Sequence, residues 1–345
     1  MTDTTAILTE ITAPFADARV HHCQVDLTQR DDQTFALSGT VLDESTLSTL
    51  AAGLAERLPD AIVDLSAVVL LRRRNPTMRR VGTNLTGLFA QPSFGSEQVS
   101  QLLNAAPLEV LREREPWAFV RQPDGYLGWV YAPYLAEPSM FPPTHFVVMP
   151  QALLRTEPQF YSSTIGRLLG GTAVTVNRIE VLGNRASDGW AQATLAGGRT
   201  GWLSLLDLRR TEDLPKAADD RRRQIVIDAH LYVGVPYVWG GTSGMGIDCS
   251  GLAQLTHRLS GVTVPRDADM QFEVGTPIEP PFLPGDLLFF ASPGNHRRIT
   301  HVGISVGGWQ IIHASRAQNG VYLDDVQAVD HLRETFVGGR SFLNR

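Results

Sequence analysis

Between residues 24 and 65 the spacing of apolar positions changes period twice. Gln24 to Leu27 and Thr34 to Leu42 alternate, with the two-residue period of half-buried strands. Leu47, Leu50, Ala51, Leu54 and Leu58 then recur at intervals of three and four, one face of a helix, with Asp43 and Ser45 ahead of them as N-cap candidates. Ala61 to Leu65 returns to a strand pattern. These elements predict a small N-terminal α+β unit over residues 1–80, in which no chemistry is visible.

The next stretch repeats itself. Trp117-Ala118-Phe119-Val120 is followed twelve residues on by Trp129, within Gly125-Tyr126-Leu127-Gly128-Trp129-Val130. Trp190-Ala191-Gln192-Ala193 is followed twelve residues on by Trp202, within Gly198-Arg199-Thr200-Gly201-Trp202-Leu203. Each copy reads as strand, Gly-containing turn, strand, with the second Trp facing back towards the first. Units of this layout resemble bacterial SH3-like barrels, and the two copies place such barrels at 81–140 and 141–211.

A charged run from Asp207 to Arg223 leads into a helix through Ile225, Val226, Ala229 and Leu231, with Arg221-Arg222-Arg223 expected on its solvated face. Val233-Gly234-Val235-Pro236 stops that helix. A segment to the C-terminus, 212–345 in all, then carries the chemistry. Asp248-Cys249-Ser250-Gly251 runs into a stretch with Leu252, Leu255 and Leu259 on one face, so Cys249 sits at a helix N-terminus. There the helix dipole favours thiolate, the nucleophilic form. A thiol with an ordinary pKa of about 8.5 still needs a base, and His301 opens an apolar strand some fifty residues later. That strand turns at Gly307-Gly308 into Trp309-Gln310-Ile311-Ile312-His313.

Register decides whether the two histidines cooperate. A two-residue turn at Gly307-Gly308 would put His313 on the opposite face from His301. A three-residue loop of Val306, Gly307 and Gly308 pairs Ser305 with Trp309 and sets His301 opposite His313. The chemistry requires the second register, in which His313 orients the base.

Composition removes several alternatives. The chain has 345 residues and a net charge of -6, which gives no case for nucleic acid or an anionic membrane surface. No window approaches the roughly 18 apolar residues of a membrane span, and the N-terminus shows no signal-peptide pattern. With two cysteines, one the expected nucleophile and the other Cys23, the chain fits a reducing cytoplasm. His21-His22-Cys23 lacks the second half of a metal site, and neither a metal nor another cofactor is expected.

Several motifs together carry a resemblance. Pro236-Tyr237-Val238-Trp239-Gly240-Gly241, Asp248-Cys249-Ser250-Gly251-Leu252, Val264-Pro265-Arg266, Pro284-Gly285-Asp286-Leu287, His301-Val302-Gly303-Ile304 and Ile312-His313-Ala314 resemble, in order, the NlpC/p60 family over about residues 220–330. These are papain-like cysteine peptidases that cut bacterial wall peptides. The resemblance implies Cys249 as nucleophile, His301 as base and His313 as third member. It also implies Tyr237 beside the thiol, helping the Cys249 backbone N–H hold a tetrahedral oxyanion. Asp286 takes a structural role. The expected fold is multidomain α+β: the N-terminal unit, two SH3-like β-barrels and a C-terminal papain-like peptidase domain.

The layout also resembles the cytoplasmic γ-D-glutamyl-L-diamino acid endopeptidases of murein recycling, whose first barrel helps select a free α-amine. Their substrate is a murein tripeptide or tetrapeptide, cut between D-glutamate and meso-diaminopimelate or lysine. Such a pocket needs carboxylates and hydroxyls around an ammonium. Asp248 and Ser250 beside the nucleophile, Glu97 at the head of the first barrel and Tyr126 in its turn are the candidates. Asp248 fits an ammonium anchor better than a thiol activator, because its charge raises a neighbouring thiol's pKa. Arg266 is a candidate for a substrate carboxylate or an ion pair with Asp267 or Asp269. Two other readings remain open: an exported hydrolase of intact wall anchored by its barrels, and a wall-peptide-binding module with a degenerate peptidase domain.

Overall fold

The computed structural model describes residues 3–138, 141–183 and 188–344. Two compact units emerge: Met1–Met78 with Leu108–Ala132, and Arg79–Pro107 with Pro133–Arg345. The segment read as a first barrel divides between them.

In the first unit, strands Cys23–Gln29 and Thr34–Val41 pair antiparallel, and Ile62–Leu70 joins the latter in parallel. The parallel crossover is the helix Glu44–Arg57, capped where Asp43 Oδ1 accepts from the Thr46 N–H at 3.1 Å. Leu50 and Leu54 on its inner face pack with Phe35, Leu37 and Val41. A helix at Thr4–Thr12, unannounced by the apolar spacing, adds Ile11 to that core. The same unit holds the antiparallel strands Pro107–Arg114, Trp117–Arg121 and Leu127–Tyr131. Trp129 lies directly across from Phe119, its ring centroid 5.1 Å away, and so diagonal to Trp117 on the same face.

In the second unit the repeat recurs with the same register: Trp202 faces Gln192 and lies diagonal to Trp190. These strands belong to a seven-stranded antiparallel sheet whose edges are Thr164–Leu169 and Leu208–Arg210, around a core of Leu154, Leu168, Val174 and Leu203. The C-terminal segment is a six-stranded antiparallel sheet. Its spatial order is Thr276–Ile278, Phe336–Ser341, Leu287–Ser292, Asn295–Gly307, Gln310–Ser315 and Gly320–Asp325. Helices Ala218–Leu231 and Cys249–Arg258 bury Ile225, Ala229, Leu252, Leu255 and Leu259 in one core with Leu287, Phe289, Val302, Ile304 and Ile312. Helix-on-sheet packing of this kind fixes the nucleophile's helix against the strand that carries the base. Arg222 departs from the solvated face expected of it. It is buried and bonds the equally buried Asp286 at 2.8 Å, because a guanidinium drawn into the core requires a carboxylate.

Candidate active site

Cys249 opens its helix and is itself buried. Asp248 is the N-cap, accepting from the Gly251 N–H at 2.7 Å. The backbone N–H groups of Val302 and Ser250 act on the Cys249 sulfur and favour its charged form, which puts the His301 strand against the thiol. Burial, helped by the Asp248 charge, pushes the Cys249 thiol well above its ordinary value. Burial likewise holds His301 far below the usual imidazole range, with His313 adding to the shift. Burial thus works against the pull of the helix dipole and favours the neutral pair of thiol and imidazole. Proton transfer from sulfur to His301 then accompanies attack on the substrate.

The register differs from both turns considered above. Ile304 pairs with Ile312 and Ser305 with Ile311, a bulge intervenes, and Gly307 pairs with Gln310. Gly307 at φ +128° and Gly308 at φ +60° supply the bulge and turn. The sum of paired residue numbers changes by two from the expected register, so every side chain keeps its face. His301 and His313 meet diagonally rather than directly opposite, His301 Nε2 to His313 Nδ1 at 2.8 Å.

The next strand extends the line with a residue that the sequence reading passed over. His313 pairs across from Tyr322, and Asp324, two residues further on that face, lies with Oδ2 3.1 Å from His313 Nε2. Burial lowers His313 to about 4 and raises Asp324, so the contact joins a neutral imidazole to a carboxylate. The available signal was the polar Tyr322-x-Asp324 alternation of a strand following the His313 strand. Its meaning depended on register.

Tyr237 is half-buried. Burial first, then the Cys249 and Asp248 charges, push its hydroxyl up to about 12, which keeps it a proton donor at any working pH. That fits the oxyanion role implied by the resemblance.

Asp248, Ser250 and Arg266 are engaged with one another. Arg266 reaches Asp248 Oδ1 at 3.1 Å and Oδ2 at 2.7 Å, Ser250 Oγ at 2.9 Å and Ser100 Oγ at 3.1 Å. The Gly240 N–H adds a bond to Asp248 Oδ2 at 2.9 Å. Together with the Gly251 cap these donors fill the carboxylate's roughly four acceptor positions, and its charge is matched by Arg266. Of the two roles offered for Arg266, the ion pair is the one seen, though with Asp248 as its partner, and Asp248 and Ser250 share that buried network. The Arg266 partner is Asp248; Asp267 stands further off, at 3.8 Å.

Glu97 is differently placed. It is exposed, and its Oε1 accepts from the Trp239 indole N–H at 2.8 Å. The adjoining strand Gln98–Leu103 holds the segment after Trp239 through Gln101, whose Oε1 takes bonds from Thr242 N at 3.1 Å and Ser243 Oγ at 2.8 Å. Gly240, at φ +73°, allows the approach: a Cβ there would stand 2.3 Å from the Gln98 carbonyl oxygen. Tyr126 belongs to the first unit and Cys249 to the second.

A sulfur at a helix N-terminus, an imidazole pair and a carboxylate in line on three adjacent strands make the machinery of a thiol hydrolase. Residues 234–340 match the NlpC/P60 family, and residues 88–132 match the bacterial dipeptidyl-peptidase SH3 domain. Over 272 residues the chain is 28% identical to a gamma-D-glutamyl-L-lysine dipeptidyl-peptidase of Bacillus cereus, covering 76% of this chain and 77% of that protein. It is 29% identical over 259 residues to dipeptidyl-peptidase 6 of Lysinibacillus sphaericus, covering 70% and 89% respectively. The crystal structure of an NlpC/P60 family protein from Bacillus cereus superposes with a TM-score of 0.65 at 22% identity, over 78% of this chain and all of that one, a likeness of fold. The chain carries an NlpC/P60 cysteine-peptidase domain with a bacterial SH3 domain ahead of it.

Proposed function

We propose that the protein is an endopeptidase that hydrolyses the bond between γ-D-glutamate and an L-diamino acid in bacterial wall peptides, preferring those with a free N-terminal L-alanine. The observation that carries the reaction is the line from His301 through His313 to Asp324 beside the Cys249 thiol. His301 takes the thiol proton as sulfur attacks the γ-carbonyl carbon, and Tyr237 and the Cys249 backbone N–H receive the oxyanion. His301 then protonates the departing amine, and water releases the acyl group from sulfur. The similarity to peptidases named for γ-D-glutamyl-L-lysine and dipeptidyl cleavage supports the bond and the length of the released piece.

The free-amine preference is supported by Glu97. It is exposed, fixed through one oxygen by the Trp239 indole, and has no cation within ion-pair distance among the described residues. With Asp248 matched by Arg266, Glu97 is the carboxylate left to meet an ammonium. A cytoplasmic place, where freed murein tripeptides or tetrapeptides are recycled, goes with this preference. The test compares L-Ala-γ-D-Glu-meso-diaminopimelate with its N-acetylated form, in the wild type and in Glu97→Gln. The wild type should favour the free amine at least tenfold in kcat/KM, and Glu97→Gln should lose most of that ratio. Equal rates on both peptides remove the amine preference. Failure to cut either, with the thiol intact, removes the activity, and efficient release from intact sacculi favours an exported wall hydrolase.

A further inference from the structure

Within the second unit, residues 82–84, the strand Thr164–Leu169 and residues 195–199 border a cavity of about 300 Å³. That volume suits a small molecule rather than a single buried water. None of its lining residues belongs to the machinery around Cys249. Asn104, only 2% exposed, ties two of its walls together. Its Nδ2 donates to the carbonyls of Gly82 at 2.9 Å and Thr83 at 3.0 Å, and its Oδ1 accepts from the Ala196 N–H at 3.0 Å. One amide thus fixes the spacing of those walls, and the buried Leu168 and Leu195 add apolar lining.

The charge of this cavity is one-sided. Arg167 and Arg199 both line it, and both are exposed. Arg199 Nη1 donates to the Ile165 carbonyl at 3.3 Å, and Arg167 Nη1 to Gln151 Oε1 at 3.4 Å, so each guanidinium is steadied by a neutral acceptor. Among the described residues no acidic side chain lines the cavity, and neither arginine has a carboxylate within ion-pair distance. Arg178 and Arg210 of the same sheet each pair with a glutamate. Two like charges bordering one small space repel each other, and an anion between them removes that cost. A guanidinium has five N–H donors, so most of those on Arg167 and Arg199 are left for a ligand with paired oxygens.

We propose that this cavity is a second binding site, separate from the thiol machinery, for a small molecule carrying two anionic oxygen groups, carboxylate or phosphate. Arg167 and Arg199 take one group each, and Leu168 and Leu195 face the carbon frame between them. The site goes beyond the peptidase reading and stands or falls independently of it. Carboxylate-rich peptide fragments and phosphate esters both present this chemistry, because either group offers a guanidinium two oxygens in one plane.

Isothermal titration of the full chain with glutarate, inorganic pyrophosphate and uncharged glutaramide tests the assignment, in the wild type, Arg167→Gln and Arg199→Gln. Both arginines are exposed, so each variant should unfold within a few degrees of the wild type. At least one dianion should bind, glutaramide should not, and the Kd should rise with salt. The tighter of the two dianions names the source, carboxylate or phosphate. Each substitution should weaken that binding by roughly 10- to 100-fold. No binding of either dianion at roughly millimolar concentration overturns the proposal. So does a Kd that either substitution leaves unmoved, since the dianion then sits elsewhere, and so does glutaramide binding as tightly as glutarate.

Discussion

His313 Nε2 lies 3.1 Å from Asp324 Oδ2 while its Nδ1 meets His301 Nε2 at 2.8 Å, and together these two contacts set both tautomers. A carboxylate only accepts, so His313 carries its proton on Nε2 and offers Nδ1 as an acceptor. His301 must then donate from Nε2, which leaves its own Nδ1 lone pair for the thiol. Histidine alone could have been turned either way round. Asp324 makes the orientation unique.

Replacing Asp324 separates that role from simple packing. Asp324→Asn keeps a carbonyl acceptor and is expected to retain activity within roughly tenfold of wild type. Asp324→Leu leaves His313 Nε2–H without an acceptor and should lower kcat by about 10- to 100-fold with KM little changed. The side chain is 17% exposed, so neither variant should shift the midpoint of thermal unfolding by more than a few degrees. Equal loss in both variants would count against the tautomer argument.

Tyr237→Phe tests the oxyanion donor while keeping the ring. With the hydroxyl pushed up to about 12 it is a donor throughout the working range. Its removal should reduce kcat by roughly a hundredfold, with KM close to wild type. A change confined to KM would assign Tyr237 to substrate binding.

Sequence periodicity was a good guide wherever a side chain's role followed from local chemistry. Leu252, Leu255 and Leu259 announced the nucleophile's helix, and Asp43 announced the cap of the first unit's helix, because both patterns lie within a few turns of chain. The histidine pair was legible in face but not in register. With Ile304 opposite Ile312, the pairing differs by two from the expected register, and only the parity of the faces survives such a difference. Asp324 escaped because its strand acquires meaning only once it lies beside the His313 strand. Arg222 was misplaced because a basic residue in a charged run reads as surface chemistry until its burial, and a partner 64 positions away, are known.

Burial of neutral histidines makes stability depend on pH in a definite direction. His257, fully buried with Nδ1 2.8 Å from the Ala253 carbonyl oxygen, is lowered to about 4. Below about 6.5 the unfolded chain takes up a proton there that the folded protein refuses until about 4, so stability is lost as pH falls through that window. His257→Phe should reduce the pH dependence of unfolding free energy by up to roughly 1.4 kcal/mol per pH unit between those limits. Denaturant titrations at pH 7 and pH 5 measure it, and an unchanged slope would mean that His257 takes up its proton as readily folded as unfolded.

The Asp248–Arg266 pair gives a prediction whose sign depends on which partner is removed. Both side chains are buried, at 7% and 1% exposure, and each oxygen of Asp248 accepts from the guanidinium. Arg266→Met leaves a buried carboxylate with only backbone donors and the Ser250 hydroxyl, and should destabilise the fold by about 3–5 kcal/mol. Because Asp248 also caps the nucleophile's helix, that variant should lose activity even at temperatures where it stays folded. Adding Asp248→Asn to Arg266→Met keeps the cap's acceptor oxygen and removes the unpaired charge, and should recover a large part of the lost stability. Thermal unfolding of the two single variants and the double variant forms the cycle. If Arg266→Met unfolds no earlier than wild type, the charge balance argued for this site is wrong, and Asp248 becomes available to an ammonium after all.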